Sequence, residues 1–237
     1  MSTGRSNSSP AAAVFDAYGT IFDFGSAVRR RGEVIGDSVT TLIDTWRTKQ
    51  LQYTWLRTIQ RQYVNFEQVT AAALDYALDA VGIRDDALRQ DLLSLYTTLD
   101  AYPDAVHALH ELRHAGVPCW ILSNGTPAML TAAIRAAGLA PLIGGVLSVE
   151  SLGVYKPDAR VYQLAVDNLH VEAGRIAFVS ANGWDAFAAA HFGLSAVWCN
   201  RAGQPTERLP GIPAYEVTSL DALPAVLGIH GVGLSPT

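Results

Sequence analysis

Five short runs along the chain are apolar on both faces and do not alternate: 11–17 (AAAVFDA), 118–124 (PCWILSN), 145–149 (GVLSV), 175–181 (RIAFVSA) and 195–200 (SAVWCN). Strands covered by helices on both sides of a parallel sheet have this pattern. Between the later runs the period changes. Residues 127–137, closed by Gly138, then 158–169 after a Lys-Pro pair, and 184–192 repeat apolar positions in the helical manner. The alternation predicts βαβ units joined by right-handed crossovers.

Residues 26–101 follow a different rule. "TTLIDTWRTKQLQYTWLRTIQ", "VTAAALDYALDAVG" and "DDALRQDLLSLYTTL" carry apolar residues three and four apart with no strand-like run between them. The predicted architecture is α/β: a doubly wound, mostly parallel, Rossmann-like core at 11–25 and 102–237, with a helical cap domain inserted at 26–101.

Composition narrows the function classes. A chain of 237 residues with 49% hydrophobic and 16% charged residues has enough apolar side chains for a sizeable core, burying roughly 70 to 75% of its unfolded surface. Net charge is −5 and no basic run exceeds Arg29 to Arg31, which argues against a nucleic-acid partner. No window approaches the roughly 18 apolar residues of a membrane span. The N-terminal "MSTGRSNSSPAAAVF" reads as a loose leader, because its apolar run stops at Asp16, too short for a signal peptide. Cys119 and Cys199 sit far apart in apolar runs without metal-ligand spacing, and are expected as buried free thiols of a cytoplasmic protein.

The polar clusters fall together at the carboxyl ends of the predicted strands. Asp16 closes the first, "SNG" (Ser123 to Gly125) the second, "YKPD" (Tyr155 to Asp158) follows the third, and "SANGWD" (Ser180 to Asp185) closes the fourth. In an open parallel sheet these ends form the ligand crevice. Singly, each cluster has a bland reading: Ser123 and Asn124 as helix caps, Asp158 as another cap, Lys156 as a solvated loop residue. Their convergence points to a site.

"DAYGT", then "LSNG", then "KPD", then "SxNxxD", in that order, resemble the haloacid dehalogenase superfamily. "WRTKQLQYTWLR" and "YVNF" in the cap are similar to segments of its L-2-haloacid dehalogenases, so the likeness runs from about residue 12 to 220. That resemblance implies hydrolysis of short-chain L-2-haloacids to D-2-hydroxy acids with inversion. Asp16 is the implied nucleophile, an ester the intermediate, and no metal or other cofactor takes part. Lys156 is expected beside Asp16 as its counter-charge. Thr20, Ser180 and Asn182 would hold Asp16 and the developing oxyanion, and Asp185 would anchor Lys156 or orient water.

Further positions are matched in the same way. Ser123, with backbone amides near Tyr18, would bind the substrate carboxylate. Arg47 would receive the halide, with Asn124 and Phe66 beside it. Tyr18, Leu51, Phe66 and Trp184 would supply apolar walls, and Tyr162 is also functional by resemblance, although a packed helix tyrosine explains it as well. Thr48 departs from the glutamine more usual after the arginine, which would enlarge the pocket or change its hydrogen-bonding edge. The implied partners are haloacid and halide, together with a second copy of the chain docked on the aromatic run around Trp46, Tyr53 and Trp55.

Two other readings stay open on the residues. A Mg²⁺-dependent phosphatase of the same superfamily is opposed by Tyr18, which stands where those enzymes carry a second aspartate, and by the carboxylate-poor "SANGWD". A non-catalytic small-carboxylate-binding module would keep the fold without turnover.

Overall fold

The computed structural model describes residues 9–229; most of the predicted N-terminal leader, residues 1–8, lies outside them. Strand β1 (Ala12–Phe15) leads into an uninterrupted helical stretch: α1 (Phe24–Arg29), α2 (Gly32–Ile35), α3 (Val39–Gln60), α4 (Phe66–Ala80) and α5 (Asp86–Ser94). Strands and helices then alternate: α6 (Pro103–His114), β2 (Cys119–Ser123), α7 (Pro127–Ala136), β3 (Gly145–Ser148), α8 (Ala159–Leu169), β4 (Ile176–Ser180), α9 (Gly183–Phe192) and β5 (Ser195–Cys199). A sixth strand, β6 (Tyr215–Val217), and a last short helix, α10 (Leu223–Val226), follow.

All strand pairs are parallel, in the order β3-β2-β1-β4-β5-β6. The five strands read from apolar runs are present, each end within two residues of its predicted place. β6 was not predicted. It is an edge strand of three residues in which Tyr215 and Glu216 are exposed, so no two-faced apolar run marks it.

The chain builds outward from β1 to β3, then returns to β4 on the other side of β1. At such a reversal the flanking helices leave to opposite faces and open a crevice at the carboxyl ends. Asp16 and Ser180 border it, with Asp16 N–H donating to Val179 O at 2.9 Å.

The long helix α3 shows how the helical stretch packs. Its buried positions are Leu42, Trp46, Gln50 and Thr54, one every four residues, so its inner face contains two polar side chains. Trp46 donates its indole N–H to Thr70 O at 3.0 Å, tying α3 to α4. At the start of α4, Asn65 and Gln68 form a reciprocal capping box.

This packing removes Trp46 from the expected docking face. Trp46 is fully buried and Tyr53 and Trp55 are half-buried, whereas the exposed apolar residues of α3 are Leu56 and Ile59. Among the described residues no helix is long and apolar enough to cross a membrane. Cys119 and Cys199 are buried and unpaired, and burial pushes their thiols up to about 12 and about 11.

Candidate active site

Three separate segments deliver charge to one enclosed point. Asp16 comes from the end of β1, Lys156 from the loop after β3, and Asp185 from the first turn of α9. Lys156 Nζ lies between the two carboxylates, 3.0 Å from Asp16 Oδ1 and 2.8 Å from Asp185 Oδ2. Lys156 is 1% exposed, Asp16 7% and Asp185 0%. Burial disfavours the ammonium, yet Asp16 and Asp185 together outweigh it and hold Lys156 above its ordinary value. Asp185 is held above the usual carboxylate range: burial acts first, Lys156 opposes it and the charge of Asp16 adds to it. The solvated reading of Lys156 is therefore excluded.

The second oxygen of Asp16 is also occupied. Oδ2 accepts from Thr20 Oγ1 at 3.1 Å and from Asn182 Nδ2 at 2.8 Å. Ser180 departs from its expected place, because its Oγ accepts the Asn182 backbone N–H at 3.2 Å and makes no bond to Asp16 among the described residues. It shapes the turn that delivers Asn182. Behind the ammonium, Tyr162 Oη donates to Asp185 Oδ1 at 2.7 Å, so the packed tyrosine is also part of the charged chain.

The capping alternatives separate cleanly. Thr126 caps α7 by accepting from Met129 N–H at 3.2 Å, which relieves Ser123 and Asn124 of that task. Ser123 Oγ accepts from Gly125 N–H at 3.1 Å, and Asn124 Oδ1 from Lys156 N–H at 3.1 Å. Asp158 does cap its helix, accepting from Arg160 N–H at 3.0 Å.

Arg47 turns inward from α3, half-buried, over the same crevice. Its NH2 group donates to Tyr18 O at 3.3 Å and lies 3.5 Å from Asn182 Oδ1, while NH1 donates to Gln50 Oε1 at 2.8 Å. Tyr18 stacks on Phe66 with centroids 5.8 Å apart and meets Tyr96 edge-on at 5.1 Å. Trp184 meets Trp55 edge-on at 5.5 Å. Leu51, half-buried, lies between Arg47 and Trp55 on one face of α3. Thr48 is exposed, so it does not wall the crevice as expected.

Three contributors were not anticipated. Gln50 holds Arg47. Gly125 makes room for Tyr18, since a Cβ there would lie 2.9 Å from Tyr18 Oη and 3.0 Å from its ring. Arg201, after β5, donates to Thr20 O at 3.1 Å and pairs with Asp104, which also accepts from Leu220 N–H at 2.8 Å. Gly125 and Arg201 carry no local sequence signal, because each matters through a residue distant in the chain, and Gln50, one helical turn from Arg47, reads in sequence as an ordinary polar helix residue.

The donor set does not suit Mg²⁺, the cation of the superfamily's phosphatases. That ion wants oxygen ligands at about 2.0–2.1 Å. Here an ammonium stands between the two carboxylates, and among the described residues no three His, Cys, Asp or Glu side chains cluster to hold a metal.

A reversing parallel sheet with a carboxylate and a cation at the switch point defines a hydrolase site of the haloacid dehalogenase type. The family model for haloacid dehalogenase-like hydrolases matches residues 10–193, and the chain belongs to that family. An (S)-2-haloacid dehalogenase of Pseudomonas sp. (strain CBS-3) is 42% identical over 217 residues, 91% of this chain and 96% of its own. A solved dehalogenase with an intermediate complex superposes with a TM-score of 0.90 at 42% identity, covering 93% of this chain and 98% of its own. The L-2-haloacid dehalogenase of Xanthobacter autotrophicus, solved with chloropropionic acid covalently bound, gives 0.86 at 32% identity, over 95% of this chain and 100% of its own.

Proposed function

We propose that this chain hydrolyses the carbon–halogen bond of short-chain L-2-haloacids, giving D-2-hydroxy acids with inversion, through an ester on Asp16 and without a metal ion. The observation that carries this reading is the enclosed Asp16 carboxylate on Lys156 Nζ at 3.0 Å, with Asp185 behind the ammonium at 2.8 Å. The relatives' activity and the covalently bound chloropropionic acid of the Xanthobacter enzyme support it.

Asp16 attacks C2 from the side opposite the halogen: a C2–O bond forms and the C–halogen electron pair leaves with the halide. Water then adds to the aspartyl carbonyl, which frees the hydroxy acid and restores the carboxylate. Thr20 and Asn182, both donors to Oδ2, orient the carboxylate and later face the oxyanion. Ser180 supports Asn182, and Asp185 with Tyr162 fixes Lys156.

Ser123 and nearby amides take the substrate carboxylate. Arg47 receives the halide with Phe66 and Asn124, the latter through Nδ2 because its Oδ1 already accepts from Lys156. Tyr18, Leu51, Phe66 and Trp184 keep water from the nucleophile. The helices of residues 26–101 act as a cap domain over the core; the buried unpaired cysteines suit a reducing cytoplasm, and the same reading takes the chain as a homodimer.

Halide release from both enantiomers of 2-chloropropionate, with and without chelator, tests the reading. Chloride from the L enantiomer alone, unaffected by chelator, is expected. Loss in chelator with recovery on Mg²⁺ would restore the phosphatase-like alternative, and binding without chloride release would leave a carboxylate-binding module.

A further inference from the structure

We infer that Gln50 is a positioning residue for halide departure, acting through Arg47; the inference rests on the proposed role of Arg47. Gln50 is fully buried on the inner face of α3, where an apolar residue would ordinarily pack. It makes three hydrogen bonds: Oε1 accepts from Arg47 NH1 at 2.8 Å, and Nε2 donates to Thr70 Oγ1 at 2.7 Å and to Tyr96 Oη at 2.9 Å.

The direction of the amide follows from chemistry. A guanidinium has no acceptor, so only Oε1 can face Arg47, and Nε2 must face the two hydroxyls. Thr70 belongs to α4, and Tyr96 packs edge-on against Tyr18. The brace thus ties the arginine to a second helix and to the aromatic wall.

Gln50 holds Arg47 without neutralising it. A carboxylate at the same position would hold the guanidinium as well but would cancel the charge that draws a halide. The neutral amide fixes the cation and leaves its field for the leaving group. A buried Gln50 serving only the fold would have no bearing on which anion Arg47 meets.

The test compares the full chain with Gln50→Glu, Gln50→Leu and Arg47→Lys. Inhibition by sodium chloride and sodium bromide is measured at ionic strength held constant with sodium sulfate, alongside kcat and KM for L-2-chloropropionate and the unfolding midpoint. Gln50→Glu preserves shape, and the two hydroxyls can rotate to donate to it, so it keeps the question open to test if Gln50→Leu does not fold. Weakening of halide inhibition by about tenfold or more is expected in Gln50→Glu, with kcat falling more than KM rises. Unchanged halide inhibition in Gln50→Glu together with weakened inhibition in Arg47→Lys overturns the role of Gln50 alone. Unchanged inhibition in Arg47→Lys overturns the halide role of Arg47 and the inference with it.

Discussion

Replacing Lys156 by methionine keeps most of the side-chain volume and removes the charge. Asp16 and Asp185, bridged by the ammonium at 3.0 and 2.8 Å, then face each other in one enclosed site. Removing one partner of a buried pair costs about 3–5 kcal/mol, because it leaves an uncompensated charge. For a domain of this size each kcal/mol shifts the unfolding midpoint by about 2–4 °C, so the variant should melt about 6–20 °C lower near neutral pH. The deficit depends on pH in a definite direction. Burial already raises Asp185, Lys156 restrains that rise, and Asp16 adds to it. Without the ammonium Asp185 binds a proton more tightly when folded than when unfolded. Such a group contributes stability that is present below about pH 4 and lost as pH rises through the folded value. The variant should therefore lie nearest the parent at about pH 4–5 and fall away toward pH 8. In the parent, the raised Lys156 contributes fully below 10.5 and loses its contribution only as pH climbs through its higher folded value. Calorimetric midpoints of both proteins at pH 5 and pH 8, with halide release at each, make the comparison. A deficit equal at the two pH values, or none at pH 8, would refute the reasoning.

Other changes act on single contacts. Tyr162→Phe removes the 2.7 Å donor to Asp185, a bond to a charged group worth about 1.5–3 kcal/mol, and raises Asp185 further. The acid limb of kcat/KM should move to higher pH with the alkaline limb in place; an unmoved acid limb counts against the charged chain. Gly125→Ala drives a methyl into Tyr18, which is packed on Phe66 and Tyr96 and cannot retreat. Overpacking of about 1–3 kcal/mol should lower the melting point by about 2–12 °C and raise KM, and wild-type values for both would exclude the contact. Light scattering should give a mass of about twice 25.4 kDa, and a mass near 25.4 kDa in dilute solution speaks against a stable dimer.

The legible parts of the chain are those whose physics is local. β1, β2 and β4 are apolar on both faces because helices cover them on both sides, and their strand-end polar residues converge wherever such a sheet reverses. β6 escaped because an exposed three-residue edge strand needs no apolar pattern. The inner face of α3 was harder to read, since Gln50 and Thr54 are buried and polar. Arg47 looks like any helical surface arginine until its partners Tyr18, Gln50 and Asn182 are known, and only resemblance singled it out. The aromatic run of α3 was visible but its orientation was not: Trp46 faces inward because Thr70 O awaits its indole proton. Arg201 was invisible, because its partners Thr20 and Asp104 lie 181 and 97 residues away.

The covalent role of Asp16 is tested most directly by a single turnover in ¹⁸O water with enzyme in excess of L-2-chloropropionate. If the carboxylate attacks C2, the oxygen given to the product comes from Asp16 itself, and solvent oxygen enters the enzyme when water opens the ester. Mass spectrometry should then find ¹⁸O in the peptide containing Asp16 and none in the lactate. Asp16→Asn cannot separate the mechanisms, because loss of a general base would silence the enzyme equally. Label in the lactate after one turnover, with an unlabelled Asp16 peptide, would contradict the covalent mechanism.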